Sequence, residues 1–137
     1  MSRIQTSVRD RLRLAGLRPT RQRQALGELL FAGGDRHVSA EALHDEARTA
    51  GITVSVATVY NTLHQFTQAG LLREVLVDGS RTHFDTNTSN HHHFLFEDGS
   101  LIDFPASALD VCGLPEAPAG TRVVGVDILV RVAKTGA

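Results

Sequence analysis

Over the first 70 residues, apolar positions recur every three to four residues, which is typical of amphipathic helices. Hydroxyl side chains suited to capping and glycines suited to stopping a helix set the limits of four predicted helices. These are 7–15 before Gly16, a second from the Thr20 cap to Gly33, a third after the Ser39 cap, and a fourth from the Ser55 cap to Gly70.

One apolar stripe on each predicted helix is expected to face a common core. The stripes are Val8, Leu12 and Ala15 in the first helix; Ala25, Leu26, Leu29 and Leu30 in the second; Ala42, Leu43 and Ala47 in the third; and Val56, Val59, Leu63 and Phe66 in the fourth.

After Gly70 the period shortens towards two, which indicates β-strands. The predicted elements are strands at 72–77 and 81–86 joined by a turn at 78–80, strands at 92–97 and 101–104 joined by a turn at 98–100, a short helix around 107–111, and a long strand at 121–132. Asp-Gly-Ser at both turns is a hairpin signal.

Two helices joined by a short turn and followed by a hairpin predict a winged helix-turn-helix. The fold class is therefore α+β, with a winged-helix DNA-binding domain at 1–86 and a small α/β dimerisation and sensing domain at 87–137. The second domain is too short to bury a stable core alone. Its last strand would also expose an apolar edge, so we expect a homodimer.

Composition narrows the function classes. No apolar run approaches the roughly 20 residues that span a bilayer, and the N-terminus has no continuous signal-peptide core. The single Cys112, expected to be buried, rules out an internal disulfide and a Cys-rich zinc site. A cytoplasmic protein with no membrane partner is predicted.

Charge is distributed unevenly although the formal net charge is −1. Residues 1–23 contain seven arginines against Asp10 alone, so this segment attracts polyanions. The guanidinium fork fits phosphate oxygens, which favours nucleic acid over a merely solvated helix face.

The outer face of the fourth helix suits a major groove. Ala57, Asn61 and His64 lie opposite its apolar stripe, and asparagine can pair with an adenine edge. Tyr60 lies between the two faces, within reach of a thymine methyl or a phosphate. The alternative is an ordinary solvated surface, and the helix-turn-helix context favours DNA.

Five segments in order carry a family resemblance: "GLRPTRQRQAL", "HVSAEALHDEA", "VSVATVYNTLHQFTQAGLL", "THFDTN" and "HHHF". From about Val8 to Phe104 the chain resembles the ferric uptake regulator (Fur) family of metal-responsive transcription factors. Within that family, "DRHVSAE" and "FDTNTSNHHHF" are similar to the iron response regulator (Irr) branch. The resemblance implies a transcription regulator rather than an enzyme.

The resemblance also implies DNA contacts. Arg18 corresponds to a basic residue that enters the minor groove, and Tyr60 to a tyrosine that contacts DNA. Asn61 stands where many Fur proteins have arginine, so sequence preference should differ. With the basic patch and the outer helix face, the predicted DNA-binding residues are Arg18, Arg21, Ala57, Thr58, Tyr60, Asn61 and His64. The expected partner is an A/T-rich palindromic operator bound by a dimer or tetramer.

The histidine run "HHH" is informative because alternate residues of a strand face opposite ways. His91 and His93 can therefore share one site while His92 faces away. The Fur resemblance implies a metal site of His37, Asp85, His91 and His93, with Asp85 in place of the usual glutamate. Iron, manganese and zinc all suit this set. His44, His64 and His83 are expected to be structural rather than metal ligands.

Two further family sites are not expected here. One would use His92 and Asp110, but Val126 stands near the position of its last histidine. The other is a structural zinc on paired Cys-x-x-Cys motifs, and "FLFEDGS" at the position of the first contains no cysteine. We therefore expect no cysteine-based structural zinc, so that folding of the second domain rests on the dimer interface.

The Irr resemblance implies haem as the signal, with His91, His92 and His93 as axial ligands. The predicted regulator binds its operator at low iron, controls iron and haem biosynthesis genes, and is released when haem changes the angle between its DNA-binding heads. Three alternatives stay open: direct sensing of a divalent metal, a haem or metal carrier that binds no DNA, and a metal hydrolase. The hydrolase is disfavoured because the chain lacks an H-E-x-x-H helix.

Overall fold

The computed structural model describes residues 7–76 and 82–136, which form two compact units divided between Thr88 and Ser89. The first unit contains α1 (Val8–Leu14), α2 (Arg21–Phe31), β1 (His37–Val38), α3 (Ala40–Thr49), α4 (Val56–Gln68), β2 (Arg73–Leu76) and β3 (Thr82–Asp85). The second contains β4 (His91–Leu95), β5 (Leu101–Pro105), a 3-10 turn (Ala106–Ala108) and β6 (Leu129–Arg131).

All four predicted helices are present, and local chemistry sets their limits. The hydroxyls of Ser7, Thr20, Ser39 and Ser55 each accept a hydrogen bond from the backbone N–H three residues later, at 3.1 to 3.2 Å. These caps satisfy donors that an α-helix leaves unpaired at its start. Gly16 and Gly70 have φ of 82° and 83°, a left-handed conformation that ends α1 and α4 at little steric cost.

The core of the first unit lies among the four helices and β3. Its fully buried side chains include Leu12, Leu26, Leu43, Leu63, Phe66 and Phe84. Two predicted core residues are wrong. Ala42 is exposed because the buried stripe of α3 consists of Ala40, Leu43 and Ala47. Val56 is 45% exposed because it is the first residue of α4, and the buried residues of this helix begin at Val59.

The first sheet has three antiparallel strands in the order β1-β3-β2. The predicted hairpin is present as β2 and β3, while its turn at 78–80 lies outside the described residues. β1 was not predicted because two residues are too few to show a period. Its register pairs His37 with Asp85 on β3.

The second sheet has the order β5-β4-β6, with β4 antiparallel to β5 and parallel to β6. Its hairpin was predicted, but two other elements were wrong. The helix expected at 107–111 is only the turn Ala106–Ala108, because so short a segment makes too few hydrogen bonds to offset helix nucleation. The strand expected at 121–132 is only Leu129–Arg131, because β4 offers a partner to those residues alone.

Among residues 7–76 and 82–136, no helix combines the length and apolar character needed to cross a bilayer.

Replacement of Gly27 by alanine tests the packing of α1 on α2. A Cβ at this position would lie 2.6 Å from Val8 Cγ1, well inside van der Waals contact. Alanine normally stabilises a helix interior by about 1 kcal/mol relative to glycine, whereas overpacking costs about 1 to 3 kcal/mol. We expect Gly27→Ala to lower the free energy of unfolding, measured by urea denaturation.

The matched control is Gln22→Ala, an exposed position on the same helix, which should leave stability within about 0.5 kcal/mol. A stabilised Gly27→Ala protein would show that α1 does not pack closely on this face.

Candidate functional site

A cluster of two imidazoles and one carboxylate lies on the sheet of the second unit. His91 and His93 point to the same side of β4, with ring centroids 4.7 Å apart. Asp103 on β5 lies opposite, with Oδ1 3.3 Å from His93 Nε2 and Oδ2 3.7 Å from His91 Nε2. The two histidines are only 3% and 4% exposed, whereas the Asp103 side chain is 29% exposed, so the imidazoles are buried and the carboxylate is partly open to solvent.

The tautomer of His91 follows from its backbone contact. His91 Nδ1 lies 2.6 Å from the carbonyl oxygen of Ser89, which can only accept, so Nδ1 carries the proton. In the neutral ring, Nε2 then presents its lone pair towards Asp103. Histidines that bind metals commonly have this arrangement, with the other ring N–H donated to a carbonyl.

Sequence reasoning missed Asp103. The loop at 96–100 sets the register of the β4–β5 hairpin, which places His93 directly opposite Asp103 and His91 opposite Pro105. Counting outward from the turn predicted at 98–100 would pair His93 with Pro105, two residues away from the observed partner, so the predicted hairpin does not place Asp103 opposite His93.

His92 faces the other side of β4, as strand alternation predicts. Its ring lies 5.6 Å from that of Phe104, and its Nδ1 accepts a hydrogen bond of 3.2 Å from the backbone N–H of Ile128. The histidine therefore holds the chain that leads into β6. Within residues 7–76 and 82–136, none of His91, His92 and Asp110 belongs to a group of three or more potential metal ligands whose ligand atoms all lie within 4.8 Å of one another, whereas His93 and Asp103 do.

In the first unit, His37 and Asp85 form a cross-strand pair. His37 Nε2 lies 3.2 Å from Asp85 Oδ2, and the carboxylate is fully buried. Asp85 Oδ1 also accepts a hydrogen bond of 2.9 Å from the backbone N–H of Asn87. A carboxylate so far from water requires donors or cations around it.

Arg36 fixes the backbone beside His37. Its side chain donates to Glu46 at 2.8 Å, and its backbone N–H donates to the Thr86 hydroxyl at 2.9 Å. The guanidinium lowers the pKa of the Glu46 carboxyl through this side-chain hydrogen bond. These contacts tie β1 to α3 and to the end of β3.

The structure thus arranges the four predicted metal ligands in two pairs. His37 and Asp85 meet within the first unit, and His91 and His93 meet, together with Asp103, within the second.

The predicted DNA-contacting residues differ in exposure. Those exposed are Arg18, Arg21, Ala57, Tyr60 and Asn61, while Thr58 and His64 are half-buried. Thr58 belongs to the cap of α4, since its hydroxyl accepts a hydrogen bond of 2.9 Å from that of Ser55.

The His64 ring packs against Tyr60 and Phe84 rather than projecting into solvent. Its ring centroid is 4.9 Å from that of Tyr60 and 5.6 Å from that of Phe84. Because Phe84 directly precedes Asp85 on β3, this aromatic group connects α4 to the strand that carries the buried carboxylate.

Two other predictions concern single residues. His44 has a structural role, since its Nε2 lies 3.0 Å from the Val54 carbonyl oxygen. Cys112 is exposed, contrary to the expectation that it is buried, because it lies in the irregular segment that follows the turn Ala106–Ala108.

The ring tautomers are testable by long-range ¹H–¹⁵N correlation spectra of the protein without added metal, at about pH 8 where a free imidazole is neutral. We expect His91 to carry its proton on Nδ1 and His92 to carry its proton on Nε2. His44 provides an internal reference, since its contact with Val54 requires a proton on Nε2. The opposite assignment for His91 would contradict its hydrogen bond to Ser89.

Comparisons with known proteins extend these observations. The profile of the ferric uptake regulator (FUR) family matches residues 14–116. The peroxide-responsive repressor PerR of Staphylococcus epidermidis is 37% identical over 100 residues, which are 72% of this chain and 66% of that protein. The match therefore spans slightly less than two thirds of that relative's length.

Solved structures agree. The Pseudomonas aeruginosa ferric uptake regulator, determined with manganese, has a TM-score of 0.73 and 28% identity, covering 96% of this chain and 100% of that one. The Vibrio cholerae ferric uptake regulator, at 24% identity and a TM-score of 0.71, covers 92% of this chain and 98% of its own, and shows the shared fold. The predicted fold class, a winged-helix domain followed by a small α/β domain, is confirmed. The chain belongs to the ferric uptake regulator family.

Proposed function

We propose that this chain is a metal-responsive transcription regulator that binds DNA as a homodimer and works in the cytoplasm. One observation carries the proposal: on the β4–β5 hairpin, the Nε2 atoms of two imidazoles each face one oxygen of the Asp103 carboxylate. A cation held there would lower the repulsion between the His91 lone pair and the Asp103 carboxylate. Family membership supplies the link between such a site and gene regulation.

The family resemblance gives His37, Asp85, His91 and His93 as the proposed metal ligands, and the contacts of the two last histidines within the β4–β5 hairpin add Asp103. Nitrogen and carboxylate donors suit manganese, iron and zinc alike, and the Pseudomonas protein was determined with manganese. A full set of protein ligands leaves no open position for a substrate, which disfavours a hydrolase.

The proposed DNA-contacting set keeps the predicted residues: Arg18, Arg21, Ala57, Thr58, Tyr60, Asn61 and His64. The exposed amide of Asn61 suits an adenine edge in the major groove, the exposed Arg21 suits phosphate, and Arg18 keeps the minor-groove role that the family resemblance implies. In a dimer, two copies of α4 would reach successive major-groove turns of a two-fold related, A/T-rich operator. A tetramer would join two such dimers.

Binding of the signal ligand would change DNA affinity by changing the orientation of the two DNA-binding heads in the dimer. A small rotation of either DNA-binding head displaces its recognition helix from the groove. A ligand that binds one dimer arrangement more tightly than another shifts the population towards the arrangement it prefers. This difference in affinity is sufficient to change DNA binding.

We propose further, from the Irr resemblance, that haem is the physiological signal at His91, His92 and His93. His92 supports haem because its imidazole lies on the face of β4 that also carries the Phe94 and Phe104 rings, which are 4.7 Å apart and apolar, while His91 and His93 offer imidazole nitrogens on the opposite face. In this version the operator is bound at low iron, genes for iron use and haem synthesis are controlled, and haem releases the protein. The alternative is direct sensing of a divalent metal, which the contacts of His91 and His93 with Asp103 favour. A carrier without DNA binding is the remaining alternative.

Replacement of Asp103 by asparagine tests the metal site. Removing one anionic ligand is expected to weaken Mn²⁺ binding at least about tenfold, measured by isothermal titration calorimetry. The charge-matched control is Glu97→Gln, an exposed position on the same hairpin, which should bind Mn²⁺ like the wild type. Unchanged affinity in Asp103→Asn would remove this residue from the site.

A companion variant, Asp85→Asn, tests whether the first unit contributes. If both carboxylates hold the same ion, each substitution weakens one binding event of about one ion per chain. Retention of wild-type affinity in Asp85→Asn would confine the site to the second unit.

An operator-binding assay identifies the signal. Fluorescence anisotropy of a labelled A/T-rich palindromic duplex is measured with protein alone, with Mn²⁺ and with haem. If haem is the signal, haem lowers duplex affinity at least about tenfold, and joint replacement of His91, His92 and His93 by alanine abolishes that response.

Each other outcome selects an alternative. A response to Mn²⁺ but not to haem indicates direct metal sensing. Binding of haem or metal without any duplex binding indicates a carrier.

A further inference from the structure

The segment between α1 and α2 carries Arg18, and its backbone is held by side chains of α2. Arg23 Nη1 donates a hydrogen bond of 2.9 Å to the Arg18 carbonyl oxygen, which also accepts from the Thr20 N–H at 2.9 Å. Gln24 Nε2 donates at 2.9 Å to the carbonyl oxygen of Pro19. Two successive carbonyls of this short segment are thus fixed.

The same guanidinium also reaches α4. Arg23 Nη2 and Nε donate to Gln65 Oε1 at 3.0 and 3.3 Å, across 42 residues of sequence. One planar group therefore joins the Arg18 segment, the first turn of α2 and the helix that carries Tyr60 and Asn61. The backbone N–H of Arg23 donates to the Thr20 hydroxyl and so forms the cap of α2.

From this geometry we infer that Arg23 and Gln65 form a clamp that sets the distance between the Arg18 segment and α4. A regulator that places Arg18 in one groove and α4 in another needs this spacing fixed before it meets DNA. Arg23 is then a positioning residue rather than a phosphate contact. The role in DNA binding rests on the proposed function, whereas the clamp itself exists without DNA.

Three features favour a clamp over a bare surface arginine. Three of the five N–H groups of a guanidinium are directed to protein acceptors here. The acceptors lie on two different elements, so the contacts constrain relative position. A lysine in place of Arg23 would keep the charge but could not reach both acceptors with a planar fork.

The test is a double-mutant cycle with Arg23→Lys, Gln65→Met and the combination. Amide hydrogen exchange at Thr20, followed by NMR without DNA, reads the clamp directly. Each single variant is expected to speed this exchange about three- to tenfold, and the double variant no more than the faster single one, because both remove the same link. Unchanged exchange in Gln65→Met would overturn the clamp, whether or not the chain binds DNA.

Duplex affinity at several salt concentrations then reads the role in DNA binding. Each single variant is expected to weaken binding about three- to tenfold, without additivity in the double variant and with the salt dependence unchanged. Because lysine keeps the charge, the charge-removing variant Arg23→Gln separates the two roles. A phosphate contact would lower the slope of log K against log salt by about one in Arg23→Gln and would overturn positioning, whereas a positioning residue leaves the slope unchanged. Wild-type affinity in both single variants would also overturn it.

Two further variants serve as controls. Arg21→Gln is expected to lower the salt slope by about one, as loss of a phosphate contact should. Arg48→Lys, an exposed arginine paired with Asp45 on its own helix, should change neither Thr20 exchange nor affinity by more than about twofold. Lack of duplex binding by the wild type would count against the proposed function, while Thr20 exchange still decides the clamp.

Discussion

The pairing of β3 with β1 and β2 is the constraint on which the arrangement of the first unit depends. Phe84 and Asp85 are consecutive residues of β3, and both are fully buried. Phe84 joins the helical core and contacts His64 of α4, while Asp85 meets His37 on β1. Since neighbouring residues of a strand face opposite ways, a shift of one residue in register would place the carboxylate in the core. The register therefore maintains both the core and the carboxylate pair.

The two units differ in what fills their interiors. The first is held together by aliphatic and aromatic side chains from four helices and the β-sheet. In the described part of the second, Leu95 is the one buried hydrophobic residue, and the other buried side chains are the three consecutive histidines. Imidazoles away from water stabilise a fold only when hydrogen bonds or a cation satisfy them. A cation that binds the folded unit more tightly than the unfolded chain would add directly to its stability.

The sequence predicts an element well when the interactions that form it lie within a few residues, and poorly when they depend on a distant part of the chain. Hydroxyl caps and glycine stops act within a few residues, and all four helices lie where Thr20, Ser55, Gly16 and Gly70 indicate. The prediction of a strand at 121–132 was wrong in length because a strand needs a pairing partner, and β4 pairs with only three of these residues. Asp103 was not predicted because its pairing with His93 depends on the hairpin register, and the turn predicted at 98–100 gives a register that pairs His93 with Pro105 instead.

The histidine run illustrates the same limit. Alternation alone separates His92 from His91 and His93, and the structure shows that separation. Alternation does not reveal that His92 Nδ1 is used by the Ile128 N–H, because that contact spans 36 residues of sequence. Consecutive identical side chains therefore have different tasks, one in holding β6 and two in presenting nitrogen atoms to a carboxylate.

Thermodynamic reciprocity limits how the proposed cation or haem acts on DNA binding. If a ligand changes operator affinity by some factor, the operator changes affinity for that ligand by the same factor. The contacts of Phe84 with Tyr60 and His64 give α4 a direct physical connection to the strand that bears Asp85. A rearrangement around this carboxylate that moves β3 therefore has to repack the aromatic group beneath α4. Because packed interiors are poorly compressible, such repacking favours two discrete arrangements over a continuous range, and discrete arrangements are what a switch requires.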